Sequence, residues 1–296
     1  MRKNSVVTVL ISALLLLALI STPAHAIGAT STENCSISGT FTITSGVVSG
    51  GNSCAGVAVI PASVTSIGNS AFAGATALTS ITVPASVTSI GITAFAGATA
   101  LTSITIPASV TTIGPQAFQN TTALTFVTFD ATSTLTTIGN YAFLNARALT
   151  SITIPASVTS IPEGAFYGAT ALTSITIPAS VTSIGDLAFQ DATSLASVYF
   201  LGNAPATIGI TPFLNTAPGA KALIRSGTTG FTTSGTPALW NGLAVEVVAD
   251  TPMPAQTPQL AETGASEPIA LGVMASMSAT LVASGMFLLH RRRKLG

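Results

Sequence analysis

A segment of about 23 residues repeats through the middle of the chain. Residues 81–103, ITVPASVTSIGITAFAGATALTS, return with few changes from Ile104, Ile152 and Ile175. One phenylalanine recurs in steps of 23, 23, 25, 23, 23 and 24 residues, at Phe72, Phe95, Phe118, Phe143, Phe166, Phe189 and Phe213. A fixed period in the low twenties, with Leu and Ile in fixed slots, predicts a solenoid in which each repeat forms one coil.

The first half of the repeat predicts a short strand. Ile81 and Val83 alternate with Ser80 and Thr82, which places the apolar pair on one face and the hydroxyls on the other. Pro84 follows and ends the strand, because proline has no N–H to give to a neighbour. We therefore expect Ile81 and Val83 to point into the core.

The second half of the repeat predicts a return along the outside. Gly91 fits a corner with positive φ, and Ala94 and Phe95 are expected on a short helical or 3₁₀ segment. A single unit cannot bury its apolar face alone, so each must stack on its neighbours. The predicted fold class is an α/β solenoid with a parallel β-sheet, short helical or 3₁₀ outer segments and a cap at each end.

The frame L-x-x-I-x-I-P-x-x-V-x-x-I-G-x-x-A-F resembles the BspA-like leucine-rich repeat of bacterial surface proteins. The resemblance covers residues 57–220 and implies a leucine-rich repeat array. The family often has Cys three places after the Phe. Here those places hold Ala75, Ala98, Thr121, Ala146, Ala169 and Ala192. The unit at residues 127–151 is two residues longer than its neighbours and is expected to disturb the ladder locally.

Residues 1–26 read as a secretory signal peptide. Arg2 and Lys3 precede an apolar run at residues 6–20, and Ala24-His25-Ala26 has the form of a cleavage site. The alternative is an uncleaved membrane anchor. Export would place the array outside the cytoplasm.

The array is predicted to be capped at both ends. Residues 27–56 form the N-terminal cap, in which Cys35 and Cys54 are expected to form a disulfide in an oxidising compartment. No His or third Cys is available there for a zinc site. Residues 221–249 form the C-terminal cap, in which Trp240 covers the last core; a binding role for Trp240 is the alternative.

The chain ends in a three-part tail. Residues 250–266 contain a proline-rich linker and the motif Leu260-Ala261-Glu262-Thr263-Gly264, and residues 267–296 contain an apolar span and a basic end. The tail resembles the cell-wall sorting signal of Gram-positive surface proteins, in the L-A-x-T-G form of class E sortases. That resemblance implies cleavage after Thr263 and covalent transfer to peptidoglycan, with membrane contact only before processing. A plain single-span anchor is the alternative.

The charge pattern and residue content exclude several classes of function. Residues 27–263 hold three basic and eight acidic residues, three minus eight giving −5, so no footprint for nucleic acid is present. His25 and His290 both lie in segments expected to be removed, and no acid pair recurs at a fixed slot. No phosphate loop, dinucleotide fingerprint or metal cluster is found. We therefore expect no enzyme activity, cofactor or metal.

What remains is a hydroxyl-rich surface on the expected concave sheet. The outward slots of successive strands repeat about every 4.8 Å and form what we call the hydroxyl face. Its members are Ser80, Thr82, Ser103, Thr105, Thr128, Ser151, Thr153, Ser174, Thr176 and Tyr199. Threonine also favours strands for its own sake, so the pattern alone is compatible with a face that binds nothing.

The sequence predicts a secreted, wall-anchored surface protein that binds an extracellular protein or glycan ligand through the repeat array. The first alternative is a structural coat or spacer of the cell envelope that has no specific ligand. A remote alternative is an ice-binding array, which horseshoe curvature and Phe126 disfavour. The adhesion reading rests on family analogy, since fold alone does not give function.

Overall fold

The computed structural model describes residues 30–232 and 239–248. The predicted signal peptide, proline-rich linker, sorting motif and apolar span lie outside these residues. The chain begins with three antiparallel strands, β1 (Thr30–Asn34), β2 (Thr40–Thr44) and β3 (Val47–Ser49), followed by a 3₁₀ helix at Gly51–Ser53.

Nine parallel strands, one from each coil of the stack, form the side of the array that holds the hydroxyl face. They are β4 (Ala55–Val59), β6 (Ala77–Thr82), β8 (Ser103–Ile106), β10 (Phe126–Phe129), β12 (Ser151–Ile152), β14 (Ser174–Ile177), β16 (Ser197–Phe200), β18 (Lys221–Arg225) and β19 (Ala244–Val248). Seven two-residue strands form a second parallel row. They are β5 (Ser66–Ile67), β7 (Ser89–Ile90), β9 (Thr112–Ile113), β11 (Thr137–Ile138), β13 (Ser160–Ile161), β15 (Ser183–Ile184) and β17 (Thr207–Ile208).

The predicted inward and outward alternation of the strands is confirmed. In β8, Ile104 and Ile106 are buried while Ser103 and Thr105 are exposed. The parallel register pairs Ile104 with Val127 and Ser103 with Phe126, so each side chain stacks on its counterpart in the next coil. The parallel-sheet solenoid that the repeat predicted is therefore confirmed, whereas the predicted helical or 3₁₀ outer segments are not.

Hydroxyl side chains between the two strand rows tie successive coils together. The Ser86 hydroxyl donates to the Val64 carbonyl oxygen at 2.6 Å, and the Thr88 hydroxyl donates to the Thr65 carbonyl oxygen at 3.2 Å. The same bonds recur at Ser109, Thr111, Ser180 and Thr182. These Ser and Thr side chains of the repeat are part of the scaffold.

The outer segments are not helical, contrary to the prediction. In the coil of Phe95, residues 92–97 form consecutive turns, and the Phe95 N–H donates to the Ala117 carbonyl oxygen of the next coil at 2.7 Å. Thr93 and Gly97 have φ of 50° and 71°. Left-handed residues four apart interrupt any helix, and N–H groups given to the next coil cannot close a helical turn.

Gly91 does not have the positive φ expected of it. Its role is close approach, because a Cβ at Gly91 would lie 2.7 Å from the Asn69 nitrogen of the preceding coil. Gly114 and Gly185 meet the preceding backbone in the same way, at 2.7 and 2.5 Å. A side chain at these positions would push neighbouring coils apart.

Seven phenylalanines form a continuous stack through the core. From Phe72 to Phe213 the ring centroids of neighbours lie 5.2–5.5 Å apart, with interplanar angles of 2–10°. Phe41 and Trp240 close the two ends of the stack, at 5.7 and 6.2 Å. The slots three places after the first six of these Phe residues are fully buried and hold Ala or Thr.

The N-terminal residues cover the first coil on both strand rows. β3 pairs with β5, and the Ser36 N–H donates to the Val57 carbonyl oxygen at 2.9 Å along the edge of β4. A disulfide joins Cys35 to Cys54, whose Cα atoms are 5.4 Å apart. This covering leaves the β4 edge less open to other chains.

The longer repeat coincides with a break in both strand rows. The first row is interrupted between β12 and β14, where only the bridge between Thr153 and Thr176 remains, and the second between β11 and β13. The extra residues form a turn in which the Asp130 carboxylate accepts from the Thr132 N–H at 2.9 Å. The stacking of Phe143 on Phe166 continues across the break.

Replacing Phe166 with alanine tests the stacked core. Phe166 is fully buried between two rings, so Phe166→Ala is expected to lower the free energy of unfolding by about 3–5 kcal/mol. Thr105→Ala, on an exposed slot, is expected to cost less than about 1 kcal/mol. Urea denaturation measures both, and equal losses in the two variants would contradict the inward and outward assignment.

Candidate binding face

The hydroxyl face is assembled as two rows that run across the coils. In the first row Ser80 pairs with Ser103, Ser103 with Phe126, and Phe126 with Ser151. In the second row Thr105 pairs with Thr128, and Thr176 pairs with Thr153 on one side and Tyr199 on the other. Thr82, Ser103, Thr105 and Thr153 are exposed, and the remaining predicted residues are half-buried. The structure therefore brings all ten predicted residues onto one surface.

A cavity of about 360 Å³ lies on this face between β6 and β8. Its lining comprises Ser80, Ile81, Thr82, Val83, Ser103, Ile104 and Thr105. The hydroxyls of Ser80, Thr82, Ser103 and Thr105 have no side-chain hydrogen bond to any residue that the structure describes. These four groups differ in this respect from the serine and threonine hydroxyls that bridge the coils.

The two ends of the hydroxyl face differ in chemistry. At the N-terminal end Val57 aligns with Ser80 and Val59 with Thr82, and these valines are 36% and 62% exposed. Sequence reasoning missed them, although aligning residues 57–61 (VAVIP) with the repeat's SITIP segment places both in outward slots. A ligand on the cavity would therefore also meet an apolar border.

At the C-terminal end the face becomes charged. Ser197 aligns with Lys221, and the Lys221 ammonium contacts the Glu246 carboxylate at 2.6 Å. Both side chains are about half exposed, so this pair contributes little to stability. It marks the point at which the hydroxyl rows end.

The turn side of the array carries a polar cluster that sequence reasoning also missed. The Tyr141 hydroxyl donates to the Glu163 carboxylate, and the Asn215 amide donates to the Asp191 carboxylate at 2.8 Å. The Asn145 amide donates to the Asn120 side-chain oxygen at 3.0 Å. Every one of these bonds joins neighbouring coils, so the cluster's polar groups are engaged within the scaffold.

These contacts shift the pKa values of the cluster in the directions that hydrogen bonding requires. The hydrogen bond to Glu163 raises the pKa of Tyr141, and the hydrogen bond to Asp191 raises that of Tyr167. Asn215 and then Tyr167 lower the pKa of Asp191 by donating to its carboxylate. These side chains lie near the surface, and the directions of their pKa shifts reflect the hydrogen bonds that they make to neighbouring residues.

Two further features bear on function within residues 30–232 and 239–248. No three His, Cys, Asp or Glu side chains in this part of the chain are grouped so as to hold a metal ion. In the same residues no helix has the length and apolar character needed to cross a membrane.

The sequence profile of the BspA-type leucine-rich repeat region matches this chain in 6 copies, over residues 52–134 and 122–231. These segments together span more than half of the 296 residues. The chain therefore belongs to the BspA-type leucine-rich repeat family. Comparison with curated protein sequences finds no match.

The chain is similar to several solved structures of leucine-rich proteins. A leucine-rich repeat protein of T. pallidum is 23% identical, with a TM-score of 0.53 over 62% of this chain and 85% of that one. A leucine-rich cell surface protein of Faecalibacterium prausnitzii is 27% identical, with a TM-score of 0.28 over 53% and 60% of the two chains. A leucine-rich repeat protein from Bacteroides ovatus is 21% identical, with a TM-score of 0.31 over 76% of each chain. The T. pallidum match supports the fold alone.

Proposed function

We propose that this chain is an exported surface protein that binds an extracellular protein or glycan through the hydroxyl face. The observation that carries the proposal is the cavity between β6 and β8, where the four hydroxyls of Ser80, Thr82, Ser103 and Thr105 have no side-chain partner among the described residues. Such groups can exchange water for the polar groups of a ligand at little cost. Membership of a leucine-rich repeat family of surface proteins agrees with this role.

The contrast between the two sides of the array supports the choice of this face. Polar side chains on the turn side, such as Glu163 and Asp191, are hydrogen-bonded to neighbouring coils. A ligand there would have to break scaffold contacts before making its own. The exposed Val57 and Val59 border the hydroxyls of the cavity, and a mixture of polar and apolar groups is typical of a selective site.

Two alternative functions, a structural coat and an ice-binding array, require different properties of the hydroxyl face. A coat or spacer protein needs only a stable array and is indifferent to the hydroxyls. An ice-binding array needs an unbroken hydroxyl lattice, and Phe126 interrupts the first row between Ser103 and Ser151. No catalytic role is proposed.

Replacing Thr82 and Thr105 with lysine tests the binding face. Both side chains are exposed and line the cavity, so two bulky cations are expected to weaken ligand capture at least about tenfold, the effect of losing roughly 1.4 kcal/mol. Cells displaying the full chain are screened against immobilised matrix proteins, glycans and other bacterial cells. The readout is retention on each surface, together with circular dichroism of each variant.

The matched control is Thr99→Lys with Thr122→Lys, which adds the same charge to exposed threonines in the turns before β8 and β10, outside the lining of the cavity. It is expected to leave ligand capture unchanged. If only the control pair weakens capture, recognition belongs to the turn side. Equal retention of cells with and without the protein on every surface supports the coat, and thermal hysteresis supports ice binding.

We also propose that the chain is exported and then attached covalently to the cell wall. The proposal rests on the signal-peptide pattern of residues 1–26 and on the order of the L-A-E-T-G motif, apolar span and basic end at the C-terminus. Sortase would be the processing partner and peptidoglycan the covalent one. The finished protein would lie at the cell surface, joined to the wall through Thr263.

Replacing Thr263 with alanine is expected to move the protein from the wall fraction to the membrane and the medium, because the residue whose carbonyl is attacked is changed. Immunoblots of fractionated cells measure the shift, and Glu262→Gln, at the variable position of the motif, serves as the control. Mass spectrometry of lysozyme-released wall material follows the native chain. Recovery of peptides that span Thr263 and Gly264 as the main product would rule out cleavage.

A further inference from the structure

The backbone hydrogen bonds between the outer turns of neighbouring coils all run in one direction. The N–H groups of Thr93, Phe95 and Gly97 donate to carbonyl oxygens of the next coil at 3.0, 2.7 and 2.7 Å. The pattern recurs at every later step, to the last one, where Leu187, Phe189 and Asp191 donate at 3.0, 2.8 and 2.9 Å. An ordinary β-strand edge alternates N–H and C=O groups. Here each coil presents only N–H groups towards the C-terminal end of the array.

The left-handed residues explain this uniform direction. In each coil the first and third donors have positive φ, as in Leu187 and Asp191 with 58° and 61°. These left-handed residues at the first and third donors help turn the three N–H groups towards the same side, and converging N–H groups attract acceptor oxygens.

The two ends of this ladder of hydrogen bonds differ in whether their backbone groups are paired. At the N-terminal end the Gly51 N–H donates to the Ala71 carbonyl oxygen at 2.6 Å. At the C-terminal end Thr211 and Asn215 have the same left-handed φ, 47° and 56°. The N–H groups of Thr211, Phe213 and Asn215 nevertheless find no acceptor among the residues that the structure describes. Backbone N–H groups at such sites are nearly always paired with protein or water.

A cavity of about 480 Å³ lies over these three donors. Its lining includes Thr211, Phe213, Leu214, Asn215, Gly219 and Gly242. A Cβ on Gly219 would meet nothing within 4 Å, so the wall there is open. Trp240 lies 6.2 Å from the Phe213 ring, so the core is covered while the backbone donors border the cavity.

We propose that this cavity binds an extended peptide segment of another protein, whose backbone carbonyl oxygens accept from the N–H groups of Thr211, Phe213 and Asn215. Each interior coil shows this donor set bound to alternate carbonyls of a neighbouring chain segment. A neutral carbonyl fits better than an anion, because the Asp191 carboxylate lies directly behind, on the Asn215 amide. A second copy of this chain is disfavoured as the ligand. The Ala71 carbonyl oxygen at the N-terminal end of its ladder already accepts from the Gly51 N–H.

The interaction is a counterpart of strand addition and is independent of the hydroxyl face. Affinity would come from main-chain hydrogen bonds, and selectivity from the exposed Leu214 and the glycine-lined wall. The ligand class is thus a peptide with small side chains that can lie close to Gly219 and Gly242.

Amide hydrogen exchange and peptide titration, followed by NMR on the full-length chain, test the proposal. Without peptide, the amides of Thr211, Phe213 and Asn215 are expected to exchange at least about tenfold faster than those of Leu187, Phe189 and Asp191. The probe is acetyl-Ile-Thr-Ala-Ala-Ala-Gly-Ala-amide. It copies residues 92–98 with alanine in place of Phe95, because Trp240 already covers the last ring. It is expected to shift the three resonances and slow their exchange.

Ala217→Trp and Thr99→Trp form a matched pair, because both residues lie four places after the Phe of their coil. The first fills the cavity and is expected to abolish the peptide-induced shifts, whereas the second is expected to preserve them. Three outcomes overturn the proposal. They are slow exchange of the three amides in the free chain, no shift at millimolar peptide, and equal shifts with sodium acetate, which would indicate a site for anions.

Discussion

The structure depends on hydrogen bonds that each coil makes to the next. The outer turns, the two strand rows and the bridging hydroxyls all send their polar groups across the coil boundary, as in the Phe95 N–H on Ala117 and the Ser86 hydroxyl on Val64. Gly91, Gly114 and Gly185 let the backbones of neighbouring coils approach closely enough for these bonds to form. A coil on its own would leave most of these groups unpaired, so stability belongs to the stack.

This constraint divides the many hydroxyl side chains of the chain into two groups. Those between the strand rows, such as Ser86 and Thr88, are bonded to the preceding coil. Those around the cavity, such as Thr82 and Thr105, point outwards from paired strands and are left for solvent or a ligand. The function proposed for the array therefore follows from which hydroxyls the scaffold does not use.

The sequence predicted the strands well because their side chains alternate with a period of two, and Ile81 and Thr82 can take only opposite faces. It did not predict the outer turns, because Ala94-Phe95 is equally compatible with a helix. The sequence feature that could have indicated these turns is the position occupied by Gly74, Gly97 and Asn120 in successive repeats. Gly and Asn are the residue types that most readily adopt positive φ. The pairing of Tyr141 with Glu163 could not be predicted, since it depends on which turn residues the stacking brings together.

Removal of one coil tests the central claim that coils are complete only as a stack. Deleting residues 152–174 removes one 23-residue period and joins Ser151 to Ile175 in register, so the shorter chain is expected to keep its sheet signal and unfold in one cooperative transition at a lower temperature. Deleting residues 152–162 instead leaves half a coil, which cannot stack, and is expected to abolish cooperative unfolding. Circular dichroism during heating compares the two. Equal loss of stability in both deletions would contradict the account.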